Sequence, residues 1–219
     1  MTKKYLQPDV TVDVVLFMIE DGDLKVLLVE REHGPYEGMR ALPGGYLLED
    51  ETTRIAADRV LHNKAGVDNV YIEQLYTFDT PGRDPRGPNF SISYVALVPS
   101  PLPIVESGDI QKPEWFSTKK LPKLAFDHKE IIDYAIERLR GKLEYTTIGF
   151  NALPKLFTLS QLQQVYEVIL DKSIDKRNFR KKMEQLKLIK ETKHVLSGMR
   201  QRPAKMYSLS GKPGTIKNF

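Results

Sequence analysis

The sequence predicts an α+β fold made of a strand-rich first domain and a small, basic second domain. Before residue 143, runs with the two-residue period of β-strands are mixed with two segments of helical period. After residue 144 the chain carries two more helical segments and a hairpin. The charge changes sign at the same place, because residues 1–144 hold 18 Lys or Arg against 24 Asp or Glu, whereas residues 145–219 hold 15 against 5. We therefore divide the chain into a first domain (1–143), a linker (144–156) and a second domain (157–219).

The predicted elements of the first domain follow from periodicity and turn residues. In chain order they are strands at 10–16 and 24–29, a helix at 51–65, strands at 70–78, 92–98 and 115–116, and a helix at 127–143. Asp21-Gly22 supplies the turn of the first hairpin. Gly66 is placed to end the first helix, and Asp127 with Glu130 predicts a capping box at the start of the second.

The second domain is predicted to contain helices at 157–170 and 175–186 and strands at 188–192 and 205–209. Thr158 and Gln161 predict a capping box for the first of these helices. Ser197-Gly198 marks the turn of a hairpin, and a short turn near 147–153 would complete a three-helix unit. This order of elements is typical of a winged helix-turn-helix domain.

The composition excludes several classes of function. With 41% hydrophobic and 28% charged residues, the chain is of the ordinary globular kind, and its apolar runs are too short for a membrane helix. The absence of cysteine excludes disulfides, thiolate metal sites and cysteine nucleophiles. Because the N-terminus lacks the apolar core of a signal peptide, we expect a cytoplasmic protein with no membrane partner.

A long motif lies around the first predicted helix. Gly45, Glu51 and Arg59 are spaced as Gly-x5-Glu-x7-Arg, and Gly66-Val67 follow at the end of the motif. Together with the preceding LPGG, residues 44–67 resemble the signature of the Nudix hydrolases. The resemblance implies an α/β/α sandwich for the first domain.

The departures from the signature decide what the first domain is expected to do. In Nudix hydrolases, glutamates at three further positions of this helix help to hold Mg²⁺, which demands hard oxygen ligands. Here those positions are Val60, Asn63 and Lys64, and only Glu51 remains of the acidic set. We therefore expect no catalytic residues, no metal site and no cofactor. An active Nudix hydrolase of nucleoside diphosphate derivatives is the alternative.

The same fold could still bind a ligand that it no longer cleaves. The segment RDPRG places two guanidinium groups beside the expected cleft, and arginine suits phosphate because it donates paired hydrogen bonds. The candidate effector-binding residues are Arg40, Gly44, Gly45, Glu51, Arg83, Asp84 and Arg86.

The second domain carries a basic face suited to DNA. In the helix predicted at 175–186, Phe179, Met183 and Leu186 form the apolar stripe, so the basic residues between them point outward. Such a face can enter the major groove, while the wing contacts phosphates. The candidate DNA-binding residues are Lys176, Arg177, Asn178, Arg180, Lys181, Lys182, Arg200, Arg202 and Lys205. A protein or RNA partner for this domain is the alternative.

With the segments FTLSQLQQVYE, DKRNFRKK and RPAKMYSL, the whole chain resembles the Nudix-related transcriptional regulators. The resemblance implies homodimers that bind palindromic operators and respond to a small molecule. In the NrtR branch, repressors of NAD-metabolism genes sense ADP-ribose; in the AraR branch, regulators of arabinose utilisation sense the free pentose. Segments of both branches occur here, and ADP-ribose is preferred because Arg83 and Arg86 suit a diphosphate.

Overall fold

The computed structural model describes residues 6–102, 111–196 and 204–211. The chain divides into two compact units. The first consists of Met1–Phe17, Lys25–Ala96 and Leu102–Ala135, and the second of Met18–Leu24, Leu97–Pro101 and Ile136–Phe219. Among the helices of the described ranges, none is long and apolar enough to cross a membrane.

Seven described strands form one sheet. They are β1 (Asp9–Glu20), β2 (Asp23–Glu30), β3 (Arg40–Ala41), β4 (Gly44–Tyr46), β5 (Glu73–Phe78), β6 (Asn89–Val98) and β7 (Glu114–Ser117). The path of the sheet is β3-β2-β1-β6-β5, with β4 paired to β1 and β7 paired to β2. β1 is central and its residues from Thr11 to Met18 are buried, which explains the apolar run from Val14 to Met18. The strands β3 and β4 were not predicted, because two or three residues show no period.

Two helices accompany this sheet. α1 (Thr53–Ala65) begins two residues later than predicted, because Thr52 accepts the hydrogen bond of the Ile55 N–H and is the N-cap. Gly66 ends α1 in the left-handed conformation, with φ of 63°, as predicted. α2 spans His128–Tyr145. The predicted capping role of the Asp127 side chain is wrong, because its carboxylate is bound by Arg83 instead.

The second unit contains the predicted helices and hairpin. α3 (Leu159–Leu170) has the predicted capping box of Thr158 and Gln161. It is followed by α4 (Lys176–Gln185), and the strands β8 (Phe157–Thr158), β9 (Ile189–Leu196) and β10 (Ala204–Leu209) form a sheet in the order β8-β10-β9. The Tyr166 and Phe179 rings, 5.2 Å apart, pack α3 against α4. The turn predicted at 197–198 lies outside the described residues.

The predicted linker differs from the observed division. A 3-10 helix, Ile148–Ala152, lies within 144–156, and its Ile148 and Phe150 side chains are buried. The Phe150 ring lies 5.6 Å from that of Phe157, so this segment belongs to the core of the second unit. The sequence suggested a linker because the apolar residues are too few to show a helical period.

Gly44 occupies a position that admits no side chain. A Cβ atom there would lie 2.0 Å from Asp13 Oδ1 and 3.0 Å from the backbone oxygen of Val12. We expect Gly44→Ala to lower the free energy of unfolding by about 1–3 kcal/mol, since strand β4 must move away from β1. Urea unfolding followed by circular dichroism measures the change.

Gly141→Ala is the matched control. Gly141 is exposed within α2 and a Cβ atom there meets nothing within 4 Å. The same substitution should therefore stabilise the chain by about 0.5–1 kcal/mol. Equal effects of the two substitutions would contradict the close approach described for Gly44.

Candidate functional site

The first unit contains a cleft of about 230 Å³ between the central strands and the neighbouring loops. Its floor is made of buried polar side chains from β1, the loop between β5 and β6, the start of β6 and the start of α2. Its rim carries cations and two aromatic rings. The floor residues are Thr11, Asp13, Arg83, Asn89 and His128, and the rim residues are Arg31, Tyr46, Lys64, Arg86 and Phe126.

Arg83 organises the floor. Its guanidinium donates two hydrogen bonds of 2.8 Å to the Asp127 carboxylate and a third to Asn89 Oδ1, and lies 3.8 Å from Asp13 Oδ2. Only 5% of its side chain is exposed. Arg83 lines the cleft as predicted, but two groups of the protein, the Asp127 carboxylate and the Asn89 amide oxygen, already accept hydrogen bonds from it. Its guanidinium therefore holds the cleft together.

His128 is fixed in one tautomer by its neighbours. Its Nδ1 accepts the backbone N–H of Leu42 at 2.9 Å, so the proton of the neutral ring is on Nε2. Nε2 lies 3.6 Å from Asp13 Oδ1. Burial lowers the pKa of His128, although the nearby Asp13 and Asp127 charges oppose the shift. The neutral ring can donate from Nε2 toward Asp13.

Asn89 keeps an unused donor at the floor. Its Oδ1 accepts from Arg83 and from the Thr11 hydroxyl, the latter at 3.1 Å. Arg83 can only donate, so the amide cannot be flipped. Nδ2 is buried and has no acceptor within the described part of the chain. A buried donor without an acceptor is uncommon in a native protein.

The rim combines cations with aromatic rings. The Arg86 guanidinium lies 5.3 Å from the Tyr46 ring centroid and 5.5 Å from that of Phe126, and Arg31 lies 4.7 Å from the Phe126 ring. Asp84, which is 6% exposed, accepts paired hydrogen bonds from Arg86. Burial alone would raise the pKa of Asp84, but these hydrogen bonds lower it.

The positions that bind metal in the Nudix signature are chemically altered. Val60 is 1% exposed and belongs to the core. Glu51 accepts hydrogen bonds of 2.5 and 2.7 Å from Arg59, which lower its pKa. Lys64 lines the cleft. Its pKa is lowered mainly by burial and next by the positive charge of Arg31. Among the residues that the structure describes, no three His, Cys, Asp or Glu side chains are grouped so as to hold a metal ion. These residues do not fit Mg²⁺.

The structure places the predicted effector residues in two groups. Five of the seven line the cleft: Gly44, Gly45, Arg83, Asp84 and Arg86. Arg40 and Glu51 do not. The Arg40 guanidinium pairs with Glu114 at 2.6 Å and donates to the Lys112 carbonyl, and Glu51 is held by Arg59.

Sequence reasoning missed several residues that line the cleft, including Asp13, Arg31, Phe126 and His128. Asp13 and Arg31 belong to or follow strands whose apolar run masks single polar residues. Phe126 and His128 flank Asp127, and that pattern was interpreted only as a helix start. Lys64, which also lines the cleft, was considered only as an obstacle to metal binding.

The second unit presents a separate cationic surface, which we call the α4 face. It comprises the exposed residues Lys176, Arg177, Asn178, Arg180, Lys181 and Lys182. Phe179 and Met183, which are 5% and 0% exposed, hold α4 to its core. Asp175 caps the helix by accepting the Asn178 N–H at 2.8 Å. The Arg180 guanidinium pairs with Glu184 at 2.9 Å, so Arg180 is less free than its neighbour Arg177.

One predicted residue of the wing is described. Lys205, in β10, is exposed and pairs with Glu191 of β9 at 2.8 Å. Arg200 and Arg202 lie outside the described residues. The described part of the wing thus adds one candidate DNA contact to those of the α4 face.

Arg83 and Arg40 were predicted to share a role, and the structure separates them. We expect Arg83→Met to lower the free energy of unfolding by about 3–5 kcal/mol, because it leaves the Asp127 carboxylate with no cationic partner. Arg40→Met breaks an ion pair whose glutamate is half exposed, and should cost at most about 1 kcal/mol. Urea unfolding of both variants tests this, and equal costs would refute the assignment of Arg83.

Comparison with known families agrees with this division of the chain. Residues 8–135 match the NUDIX domain family. Residues 149–209 match the NrtR DNA-binding winged helix domain family. The first match contains the whole cleft and the second contains the α4 face.

Two curated proteins resemble the chain over different lengths. The ADPR responsive transcriptional repressor NtrR of Acinetobacter baylyi is 35% identical over 208 residues, which are 93% of this chain and 82% of the relative. An ADP-ribose pyrophosphatase of Methanocaldococcus jannaschii is 37% identical over 131 residues, which are 59% of this chain and 75% of the relative. The match to the repressor includes both units.

Solved structures give the same result. NrtR of Shewanella oneidensis in complex with a 27mer DNA has a TM-score of 0.80 and 39% identity, covering 92% of this chain and 93% of that one. The NUDIX domain of the same protein in complex with ADP ribose has a TM-score of 0.56 and 37% identity, covering 62% and 90%. The predicted α+β fold, a Nudix domain followed by a winged helix, is confirmed. The chain belongs to the NrtR family of Nudix-related, DNA-binding transcriptional regulators.

Proposed function

We propose that this protein is a transcriptional repressor that releases its operator when its Nudix domain binds ADP-ribose. One observation carries the proposal: a cleft lined by cations, with Lys64 in place of a metal-binding glutamate of the hydrolases, is joined in one chain to a winged helix with an exposed cationic helix. The relative from Acinetobacter is an ADPR-responsive repressor, and the relative from Shewanella has been crystallised with DNA and with ADP ribose.

The chemistry of the rim supports ADP-ribose as the effector. Arg31, Lys64 and Arg86 bring positive charge to a cleft that would hold a diphosphate. Phe126 and Tyr46 offer rings on which a base could pack. A free pentose carries no charge and needs no cation to neutralise it. The relatives give no support to a pentose effector.

We propose that ADP-ribose is bound without being hydrolysed. A Nudix hydrolase needs clustered carboxylates for Mg²⁺, and here the one remaining glutamate of the signature, Glu51, is paired with Arg59. The similarity to an ADP-ribose pyrophosphatase extends over the first unit and is compatible with a shared ligand. No catalytic residue, metal ion or cofactor is assigned to this chain.

The α4 face is proposed to enter the major groove, with Lys205, Arg200 and Arg202 of the wing at the backbone. The helix offers Arg177 and Asn178 at its N-terminal end, where recognition helices contact base edges. We further propose a homodimer on a palindromic operator with half-sites about one helical turn, or a multiple of it, apart. ADP-ribose would then change the spacing of the two recognition helices and lower the affinity for DNA.

The operator claim is tested by substitutions in α4. We expect Arg177→Ala to weaken binding to the DNA upstream of the protein's own gene by about tenfold or more, because one charge-assisted contact to a base or phosphate is lost. Arg138→Ala, which removes an exposed arginine from helix α2, is the control and should change the affinity little. Fluorescence anisotropy at two salt concentrations measures both, with ADP-ribose added last.

The results separate the alternatives for the second domain. Wild-type protein should bind the upstream duplex more tightly than a random duplex, and ADP-ribose should abolish the difference. Equal affinity for both duplexes would overturn the operator claim. Equal losses in Arg177→Ala and Arg138→Ala would show that only the total charge matters, and would remove the α4 face from the account.

A further inference from the structure

We propose that Lys64 is the internal counter-ion of the effector, so that its ammonium group performs the charge neutralisation for which Nudix hydrolases use a divalent cation. The inference rests on the proposed function and deepens it. It assigns to one residue the contact with the diphosphate of ADP-ribose, and it implies that the effector binds without any metal ion.

The position of Lys64 in the fold supports this role. Lys64 lies in the last turn of α1 and its side chain lines the cleft. In the signature this position holds a glutamate of the Glu-Glu pair. A cation therefore stands where a carboxylate would hold Mg²⁺ close to the phosphates of the substrate. The positive charge that a bound Mg²⁺ supplies in a hydrolase is thus supplied by the protein itself.

The charged groups around Lys64 also support this role. In the ranges that the structure describes, no carboxylate lies within the 4 Å of an ion pair from the Lys64 ammonium. Of the nearby carboxylates, Glu51 binds Arg59, Asp84 binds Arg86, and Asp13 accepts the Ser91 hydroxyl at 2.5 Å. Asp13 and Glu32, which also line the cleft, attract the Lys64 ammonium from beyond ion-pair distance. Lys64 thus differs from Arg59, Arg83 and Arg86, each of which has a carboxylate partner in the protein.

The energetics indicate an anion as the missing partner. Burial and then the positive charge of Arg31 lower the pKa of Lys64, and the Asp13 and Glu32 carboxylates only partly oppose this shift, so the ammonium is held at a cost. A diphosphate in the cleft would relieve both effects, because it places negative charge between the two cations. A divalent cation at the same place would be repelled by Lys64 and Arg31. Lys64 and Arg31 therefore favour an anion over a metal ion at this place.

A purely structural role for Lys64 is the competing explanation. A cation in the last turn of a helix is stabilised by the helix dipole. That role predicts that loss of the charge lowers the stability of α1. The counter-ion role predicts that loss of the charge weakens ADP-ribose binding and leaves the thermal midpoint of unfolding unchanged or raised.

The experiment is calorimetric titration of the full chain with ADP-ribose, in EDTA and in Mg²⁺. We expect wild-type affinities that agree within about twofold in the two buffers. Lys64→Met should lose about tenfold or more in both, a loss in the range of one charge-assisted hydrogen bond. Lys64→Arg should retain most of the affinity. Lys120→Met, an exposed lysine that does not line the cleft, should match the wild type.

Each outcome decides between the claims. Wild-type binding that requires Mg²⁺, or Lys64→Met binding as tightly as the wild type, would overturn the counter-ion role while leaving the effector assignment in place. Wild-type protein that binds ADP-ribose in neither buffer would overturn the proposed function, and the counter-ion role with it. Chromatography of the ligand after each titration should recover intact ADP-ribose.

Discussion

The guanidinium of Arg83 is the interaction on which the first unit depends. It connects the carboxylate of Asp127 at the start of α2, the amide of Asn89 at the start of β6 and the carboxylate of Asp13 in β1. The Arg83 and Asp13 side chains are buried and that of Asp127 is only 14% exposed, so removing the Arg83 charge would leave the Asp127 carboxylate without compensation. The same network places Asp13 so close to β4 that only glycine fits at position 44. The floor of the cleft is therefore built before any ligand arrives.

Because the floor is fixed by its own contacts, the cations at the rim decide which ligand the cleft attracts. The arginines Arg83 and Arg86 are satisfied by Asp127 and Asp84, whereas Lys64 has a lowered pKa and no carboxylate partner in the described chain. A hydrolase needs concentrated negative charge at this point to hold a metal ion. In the proposed function, the charge of Lys64 preserves attraction for a diphosphate, and the loss of the metal-binding glutamates removes the means to activate water. The proposed loss of catalysis and the proposed retention of binding are thus changes of the same helix.

Much of the fold could be predicted from the sequence, because its signals are local. Thr158 with Gln161 marks the start of α3, Gly66 marks the end of α1, and the stripe of Phe179 and Met183 orients α4. The strands β3, β4 and β8 were missed because two or three residues form a strand only when a distant partner supplies the hydrogen bonds. These short strands therefore depend on the pairing within their sheets and show no local sequence signal.

The site was harder to predict, for a physical reason. Arg83 and Asp127 are 44 positions apart, and nothing in either neighbourhood shows that they form a buried ion pair. An arginine in a Pro-Gly loop therefore resembled a ligand contact. Arg40 was misplaced in the same way, because Glu114 reaches it only through the pairing of β2 with β3 and β7. Charges reveal a site in sequence only when a motif fixes their spacing, as for Lys64.

If the binding of ADP-ribose and the binding of the operator are coupled in one protein, each ligand must lower the affinity for the other by the same factor. The most direct measurement is the calorimetric affinity for ADP-ribose of the protein alone and of the protein saturated with operator duplex. We expect the operator-bound protein to bind ADP-ribose more weakly, by the factor with which saturating ADP-ribose weakens operator binding. Equal affinities for ADP-ribose in the two states would contradict the account, because the ligand would then carry no signal to the DNA.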